Sequence, residues 1–314
     1  MVALAVGATV IAGCSGTPAG DSAPAPGART VQTALGEVTV PERIESVVVL
    51  EGRRDLDIVL ALGLPLVGFP YEGPDSGLDL RAPLADATEQ AEAAGARELF
   101  LADEIDLEAI AQAAPSLIVG RIGDAEPILD ELRAIAPVLP VRSHDDGVSW
   151  QEDLRLVAAA TGTEARAEKL VAEYERRRDE VAGRFADQIA STPVVPLGYD
   201  GSTTEVQTSR MQSVVLTELG ARPAQAFADA AAAGPGGVEY SPEQTFDRYR
   251  DAGAVLVLAD TADEWAAAGR DRLWQQLPAV QQGNVVRADR MTHEGGPITA
   301  MHVLGLVEQL YSTV

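Results

Sequence analysis

Residues Thr163 to Ile189 read TEARAEKLVAEYERRRDEVAGRFADQI. The stretch has no proline and, apart from Gly183, no glycine, and it is rich in Ala, Glu and Arg, all strong helix formers. Thr163 is the expected N-cap, with Glu164 in the first turn where the helix dipole favours an acid. Leu170, Tyr174, Val181 and Phe185 fall on one stripe at helical spacing. Glu173 with Arg177, and Arg176 with Glu180, are i,i+4 pairs for the solvated face. At about 1.5 Å rise per residue such a helix is roughly 40 Å long, about the diameter of a small domain. Blocks of alternating strands and helices lie on both sides of it. It therefore reads as a strut joining two lobes rather than a long surface helix within one domain.

At 314 residues the chain accommodates two domains, and an apolar fraction of 46% is enough for packed cores. The formal charge of −24 argues against nucleic acid, whose phosphates need Lys and Arg. It argues equally against purely electrostatic docking on an anionic membrane. Lys169 is the sole lysine, so nearly all positive charge is arginine.

Residues 1–13, MVALAVGATVIAG, are apolar and uncharged, and Cys14 follows directly. The run is too short to span a bilayer and fits the apolar region of a signal peptide. Val10-Ile11-Ala12-Gly13-Cys14 resembles a bacterial lipobox, which makes Cys14 the expected lipidated residue. Cys14 is also the chain's one cysteine, so an internal disulfide, a cysteine metal cluster and a thiol nucleophile elsewhere are excluded. The Pro-, Gly- and Ala-rich segment that follows reads as a flexible tether. The expected division is a signal peptide over 1–13, a tether over 14–36, an N-terminal lobe over 37–148, connecting helices over 149–190 and a C-terminal lobe over 191–314.

In the first lobe, Thr30 to Val40 alternates around Gly36 as a hairpin would. The order continues with strand Ile44–Leu50, helix Asp55–Leu62 closed by Gly63, strand Pro65–Phe69, helix Asp106–Ala114, strand Leu117–Gly120, helix Ala125–Ile135 and strand Val138–Val141. Alternation of this kind predicts a parallel α/β sheet with its ligand beyond the carboxyl ends of the strands. Glu51, Arg53, Arg54, Phe69, Tyr71 and Arg121 stand there. The second lobe reads as strand Pro193–Tyr199, strand Glu205–Thr208, helix Met211–Leu219, a loop over Ala224–Gly237, helix Ser241–Arg248, strand Val255–Leu258, helix Arg270–Leu277, strand Val285–Ala288 and helix Ile298–Leu310. A weak repeat links the lobes. Asp106-Leu107-Glu108 and Ser241-Pro242-Glu243 each open a helix that leads to an apolar strand. Capping chemistry accounts for the repeat; alternatively, Glu108 and Glu243 are equivalent knobs for a two-fold partner.

Val47-Val48-Val49-Leu50 with Leu60-Ala61-Leu62-Gly63, Asp106-Leu107-Glu108-Ala109-Ile110 with Ala114-Pro115-Ser116-Leu117-Ile118, Ser241-Pro242-Glu243, Leu277-Pro278-Ala279-Val280 and Gly295-Gly296-Pro297-Ile298 occur in an order and spacing that resemble one family. This is the siderophore and vitamin B12 class of substrate-binding lipoproteins of bacterial ABC importers. The likeness runs over about residues 37 to 314. It implies two α/β lobes joined by one rigid helix, with the ligand cleft between them and little hinge motion. It also implies that Glu108 and Glu243 match glutamates that dock onto arginines of a permease dimer with its ATPase subunits.

A ferric siderophore presents carbonyl or hydroxamate oxygens that arginine can donate to and apolar faces that aromatic rings can cover. The expected ligand contacts are Arg53, Arg54, Tyr71 and Arg121 in the first lobe and Tyr199, Arg210 and Tyr240 in the second. Thr292-His293-Glu294-Gly295-Gly296 departs from the family, which often carries an aromatic residue just before these glycines. There His293 can stack or donate, and Glu294 favours a cationic ligand. Trp274 reads as core, Trp150 as structural, and His302 as a residue of a helix face. Direct binding of zinc or manganese is disfavoured, because the three histidines, His144, His293 and His302, lack i,i+4 spacing. No G-x-S-x-G, P-loop or H-E-x-x-H signals an enzyme. The expectation is thus a monomeric, lipid-anchored protein on the outer face of the membrane, with no cofactor and no metal ligands of its own. It would deliver a ferric siderophore, of hydroxamate type, to an ABC permease. Vitamin B12 or haem in the same cleft, a surface sensor and a tethered enzyme are the alternatives.

Overall fold

The computed structural model describes residues 27–314 apart from Val148 and Pro235. The expected signal segment, Cys14 and the tether as far as residue 26 lie outside the described residues. Strands β1 (Arg29–Thr33) and β2 (Gly36–Val40) form an antiparallel hairpin. Folded chain therefore begins inside the stretch 14–36 read as tether.

The first lobe follows as β3 (Val47–Val49), α1 (Arg54–Leu62), β4 (Leu66–Tyr71), α2 (Ala85–Ala93), β5 (Arg97–Leu101), α3 (Leu107–Ala113), β6 (Leu117–Arg121), α4 (Ile122–Ala125), α5 (Leu129–Ile135) and β7 (Val138–Val141). Its five strands are all parallel, in the order β5-β4-β3-β6-β7. The central strands are unbroken apolar runs because helices cover both faces of such a sheet. Val47, Val48, Val49, Leu117, Ile118 and Val119 are all fully buried. Elements α2 and β5 occupy a stretch with no clear apolar period in the sequence.

Helices α6 (Trp150–Thr161), α7 (Glu164–Arg184) and α8 (Ala186–Ser191) make the connection. The strut is thus shorter than 163–189. It stops at Phe185, where the ring stacks on Tyr311 with centroids 6.3 Å apart and the backbone leaves the helical region. Thr163 does not cap it. Its hydroxyl shares a hydrogen bond of 3.0 Å with the Thr161 hydroxyl instead. Tyr174, Val181 and Phe185 are buried as the stripe requires, but Leu170 is only partly covered, with Ala167 and Val171 turned inward beside it. Arg176 pairs with Glu180 as expected. Arg177 reaches across to Glu308 and Glu180, not Glu173.

The second lobe contains β8 (Val194–Tyr199), β9 (Thr204–Val206), α9 (Met211–Glu218), α10 (Gln225–Ala233), β10 (Val238–Tyr240), α11 (Thr245–Tyr249), β11 (Ala254–Leu258), α12 (Ala262–Ala268), α13 (Pro278–Gln282), β12 (Val285–Ala288) and α14 (Pro297–Tyr311). Its sheet runs β10-β9-β8-β11-β12. Strands β8, β11 and β12 are parallel, and β9 and β10 antiparallel. Taken in order of appearance, the strands of the two sheets follow the same sequence. Two readings are corrected here. Ala224–Gly237 is not a loop, since its alanines favour the helix α10, which buries Ala226, Phe227 and Ala230 on one stripe. Within Arg270–Leu277 there is only a single 3₁₀ turn, Trp274–Gln276.

The lobes share one apolar core that runs through α1, α6, α7 and α14. A buried carboxylate locks this junction. Asp57 on α1 accepts hydrogen bonds from the backbone N–H groups of Gly296 (2.9 Å), Ile298 (3.0 Å) and Thr299 (2.8 Å), the orphan donors at the start of α14. Glycine at 296 lets the carboxylate approach, since a Cβ there would lie 3.0 Å from Asp57 Oδ1.

Candidate functional site

The strand order reverses between β3 and β6 in the first lobe and between β8 and β11 in the second. In open α/β sheets such switch points leave a crevice at the carboxyl ends of the strands. In the first lobe the turn after β3 is Leu50-Glu51-Gly52-Arg53. Asp55, one residue into α1, accepts the backbone N–H groups of Leu50 (2.9 Å), Glu51 (2.7 Å) and Gly52 (2.8 Å), which folds the turn back over the sheet edge. Gly52 has φ 88°, in the left-handed region that glycine adopts without strain.

This turn presents Glu51 and Arg53. Arg53 Nη1 lies 2.5 Å from Glu51 Oε1, and its Nη2 lies 3.5 Å from Glu72. Arg121, at the end of β6, donates to Asp124 at 2.8 Å and 3.2 Å and stands 3.6 Å from Glu51. Burial and the nearby Asp55 push the Glu51 carboxyl up to about 8, against the pull of Arg53 and Arg121. Arg53, Tyr71, Glu72 and Met291 line a hollow of about 240 Å³ on this side.

On the other lobe, Tyr199, Arg210, Asp260, Arg290 and His293 line a second hollow of about 240 Å³. Arg210 donates to Glu205 at 2.6 Å. Tyr199 is covered from below by Trp274, ring centroids 6.0 Å apart. His293 donates from Nδ1 to the Arg290 carbonyl. Burial and the Arg53 guanidinium lower its pKa to about 3, so the ring is neutral and Nδ1 carries the proton. The two hollows flank an interlobe ion pair, Arg290 to Glu72 at 3.0 Å. A second interlobe pair joins Arg287 to Asp79 at 2.5 Å.

Behind the hollows lies a buried knot centred on Glu294. Its carboxylate accepts the backbone N–H of His144 at 3.1 Å and meets His144 Nδ1 at 3.2 Å, Arg54 Nε at 3.7 Å and Arg121 Nη1 at 3.7 Å. Burial alone would raise this carboxyl; the His144 hydrogen bond and Arg54 outweigh it and hold it at about 2. His144 and His293 meet edge-on with centroids 5.0 Å apart, and together with Glu294 they offer three ligand atoms within 4.8 Å of one another. Arg54 and Arg121 already neutralise that carboxylate, so the trio is better matched as an ion-pair knot than as a cation site.

Of the nine expected ligand residues, Arg53 and Tyr71 face the first-lobe hollow, and Tyr199, Arg210 and His293 face the second. Arg121 stands between Glu51 and Glu294 at the floor. Three are placed elsewhere. Arg54 is 4% exposed, pairs with Asp153 at 3.0 Å at the junction of α1 and α6, and with His144 and Glu294 lines a third hollow of about 330 Å³ beside Trp150 and Met211. Glu294 is 1% exposed and spent on the knot. Tyr240 packs edge-on against Tyr249 at 5.8 Å, beneath the Arg248 guanidinium, and lines neither hollow. Trp274 and Trp150 are buried, the latter edge-on to Tyr174; His302 is exposed on α14. The residues that the sequence did not single out are Glu72, Arg290, Met291 and His144. Glu72 directly follows the strand that carries Tyr71, which is the one signal that could have marked it.

The chain resembles known proteins along most of its length. The sequence profile described as periplasmic binding protein matches residues 89–291. A Bacillus subtilis protein named "Probable siderophore-binding lipoprotein" is 27% identical, covering 90% of this chain and 87% of its own. The iron-uptake system-binding protein of the same organism is 23% identical over 79% of this chain and 75% of its own. The siderophore periplasmic binding protein from the fuscachelin gene cluster of Thermobifida fusca superposes with a TM-score of 0.66 at 25% identity, covering 88% of this chain and 99% of that one. The triscatecholate siderophore binding protein of Bacillus subtilis shares the fold, with a TM-score of 0.71 at 16% identity, over 90% and 98% of the two chains. With two α/β lobes on a helical strut, facing switch points and a profile matched over residues 89–291, the chain belongs to the periplasmic binding protein family.

Proposed function

We propose that this protein captures a ferric siderophore in the crevice between its lobes and delivers it to an ABC permease, without covalent chemistry. The observation that carries the reading is the pairing of two switch points across one crevice, each offering an arginine and a tyrosine: Arg53 and Tyr71 opposite Tyr199 and Arg210. Guanidinium N–H groups suit the oxygen shell of a chelate, and the rings suit its apolar faces. The names of the relatives support the same ligand class. Sites for compact organic ligands measure about 300–1,000 Å³. Release of the Arg290–Glu72 pair would join the two hollows into a space of that order. The shared core at the junction of α1, α7 and α14 favours a small opening over a wide hinge.

Trp274 beneath Tyr199 makes the crevice readable by fluorescence. Titration of the full-length protein with ferric hydroxamates, ferric catecholates, haem, cobalamin, zinc and manganese is expected to show saturable quenching by a ferric chelate at sub-micromolar concentration. Quenching by cobalamin or haem alone would overturn the siderophore reading.

Membrane attachment through a lipid on Cys14 belongs to the same proposal. No helix among the described residues is long and apolar enough to cross a membrane. The proposal extends to docking through Glu108 and Glu243. Both are exposed, and each lies in the first turn of the helical segment that precedes the fourth strand of its sheet, β6 or β11. Exposed carboxylates act mainly on encounter and orientation. Changing both to alanine is expected to leave ligand quenching unaltered and to slow uptake in whole cells about tenfold. Unchanged uptake with intact binding would remove the docking role.

A further inference from the structure

The crevice is not a cationic basket. The second-lobe hollow is lined by five carboxylates, Asp200, Glu205, Glu239, Asp260 and Glu264, against two arginines. The first-lobe hollow carries Glu72, Glu89, Glu92 and Glu98 against Arg53, beside a Glu51 that is largely protonated. Each arginine is already held by a carboxylate. Arg53 is held by Glu72, Arg121 by Asp124, Arg210 by Glu205, and Arg290 by Glu72 and Asp260. His293 is neutral and adds no positive charge. The whole chain carries −24, so its outer field has the same sign as the crevice.

A chelate whose ligand groups leave several negative charges on the complex would meet this surplus head-on. A trihydroxamate complex of iron(III) is neutral at the metal, because three hydroxamate anions balance the ion. Any charge on such a ligand comes from its tail. Glu239 sits exposed on β10 at the mouth of the second-lobe hollow and makes no ion pair among the described residues. Asp260 accepts the Arg290 backbone N–H at 2.8 Å and meets the Arg290 guanidinium at 3.5 Å, so one cation faces it.

Resting on the siderophore reading, we propose that the crevice selects a ferric chelate of net positive charge, a trihydroxamate with a protonated amine tail, and seats the ammonium on the second-lobe carboxylates beside Glu239 and Asp260. The arginines then donate to hydroxamate oxygens while they remain anchored by their carboxylates, and the tail supplies the counter-charge that the protein lacks. A desolvated ammonium among carboxylates gains from each of them at once, and added salt screens that gain.

The test keeps the metal centre fixed and changes only the tail. The full-length protein is titrated by tryptophan quenching with ferrioxamine B, whose free amine makes the complex cationic. The N-acetylated complex, which is neutral, and the N-succinylated complex, which is anionic, follow. The expected order is amine, then acetyl, then succinyl, with about tenfold weaker binding at each step. The first step should shrink at high salt. Glu239→Lys, checked for an unchanged melting temperature, is expected to compress the amine-to-succinyl ratio at least about tenfold. Equal affinity for the three complexes, or the reverse order, overturns the charge inference and leaves the siderophore reading in place. Absence of quenching by all three, together with binding of a ferric catecholate, also overturns it. Absence of binding by any ferric chelate overturns the reading on which it rests.

Discussion

Asp57→Ala is expected to lower the free energy of unfolding by about 3–5 kcal/mol, because it strands three buried backbone donors at once. Each buried donor left without a partner costs about 1–3 kcal/mol, and loss of a helix cap alone about 0.5–2 kcal/mol. The three N–H groups belong to Gly296, Ile298 and Thr299, and Asp57 is fully buried, so bulk water does not reach them in its place. The effect is also architectural. Asp57 belongs to the first helix of the first lobe, and α14 closes the second lobe. Removing the carboxylate therefore loosens the contact that keeps the crevice in register. Urea unfolding should show a lower midpoint, and ligand affinity should fall with it. Asp57→Asn keeps one acceptor oxygen and is expected to cost less than the alanine change. An alanine variant within about 1 kcal/mol of the wild type would show that α14 is held by its apolar face alone.

The contrast between what the sequence disclosed and what it withheld follows sequence distance. Buried parallel strands announce themselves because both faces are covered, so Val47–Val49 and Leu117–Val119 stand out as β-branched and aliphatic runs. Helix α7 announces itself by composition. The switch-point rule then places Arg53, Tyr71 and Tyr199 at strand ends without any knowledge of side-chain direction. Direction is where the reading fails. Arg53 and Arg54 are adjacent, yet one lines a hollow and the other is buried against α6. Which of them turns inward depends on Asp153, 99 positions away. Tyr240 sits at a strand end like Tyr199, but β10 is an edge strand whose Tyr packs on Tyr249 of a local helix. Helix α10 was hidden because its glycine-rich flank obscured an alanine run. The cap from Asp57 to α14 spans 239 residues or more, and no local pattern marks it.

Arg54→Ala separates a ligand arginine from a structural one and should behave as the second. Arg54 Nη1 lies 3.0 Å from Asp153 and Nε 3.7 Å from Glu294, and both acids are 1% exposed. Removal of the guanidinium takes the ion-pair partner from buried Asp153 and leaves Glu294 with His144 and Arg121 alone, and breaking a buried pair costs about 3–5 kcal/mol. The acid limb of the stability curve tests the same knot. The Glu294 carboxyl is held at about 2, below its unfolded value, so it contributes stability that is complete above about 4.5 and lost as pH falls towards 2. His293, held at about 3, adds stability that is complete above about 6.5 and lost as pH falls through 3. Without Arg54 the Glu294 arm is weakened at its source. The variant should then be less stable at neutral pH and lose less between pH 4.5 and 2 than the wild type does. A crevice arginine would give the opposite pattern, with unchanged unfolding and weaker ligand quenching. The carboxylates that hold Arg53 and Arg210 are partly exposed or, at Glu51, largely protonated, so their alanine variants are expected to give that second pattern. The cost of removing an arginine here is set by how deeply its partner carboxylates are buried, and both partners of Arg54 are 1% exposed.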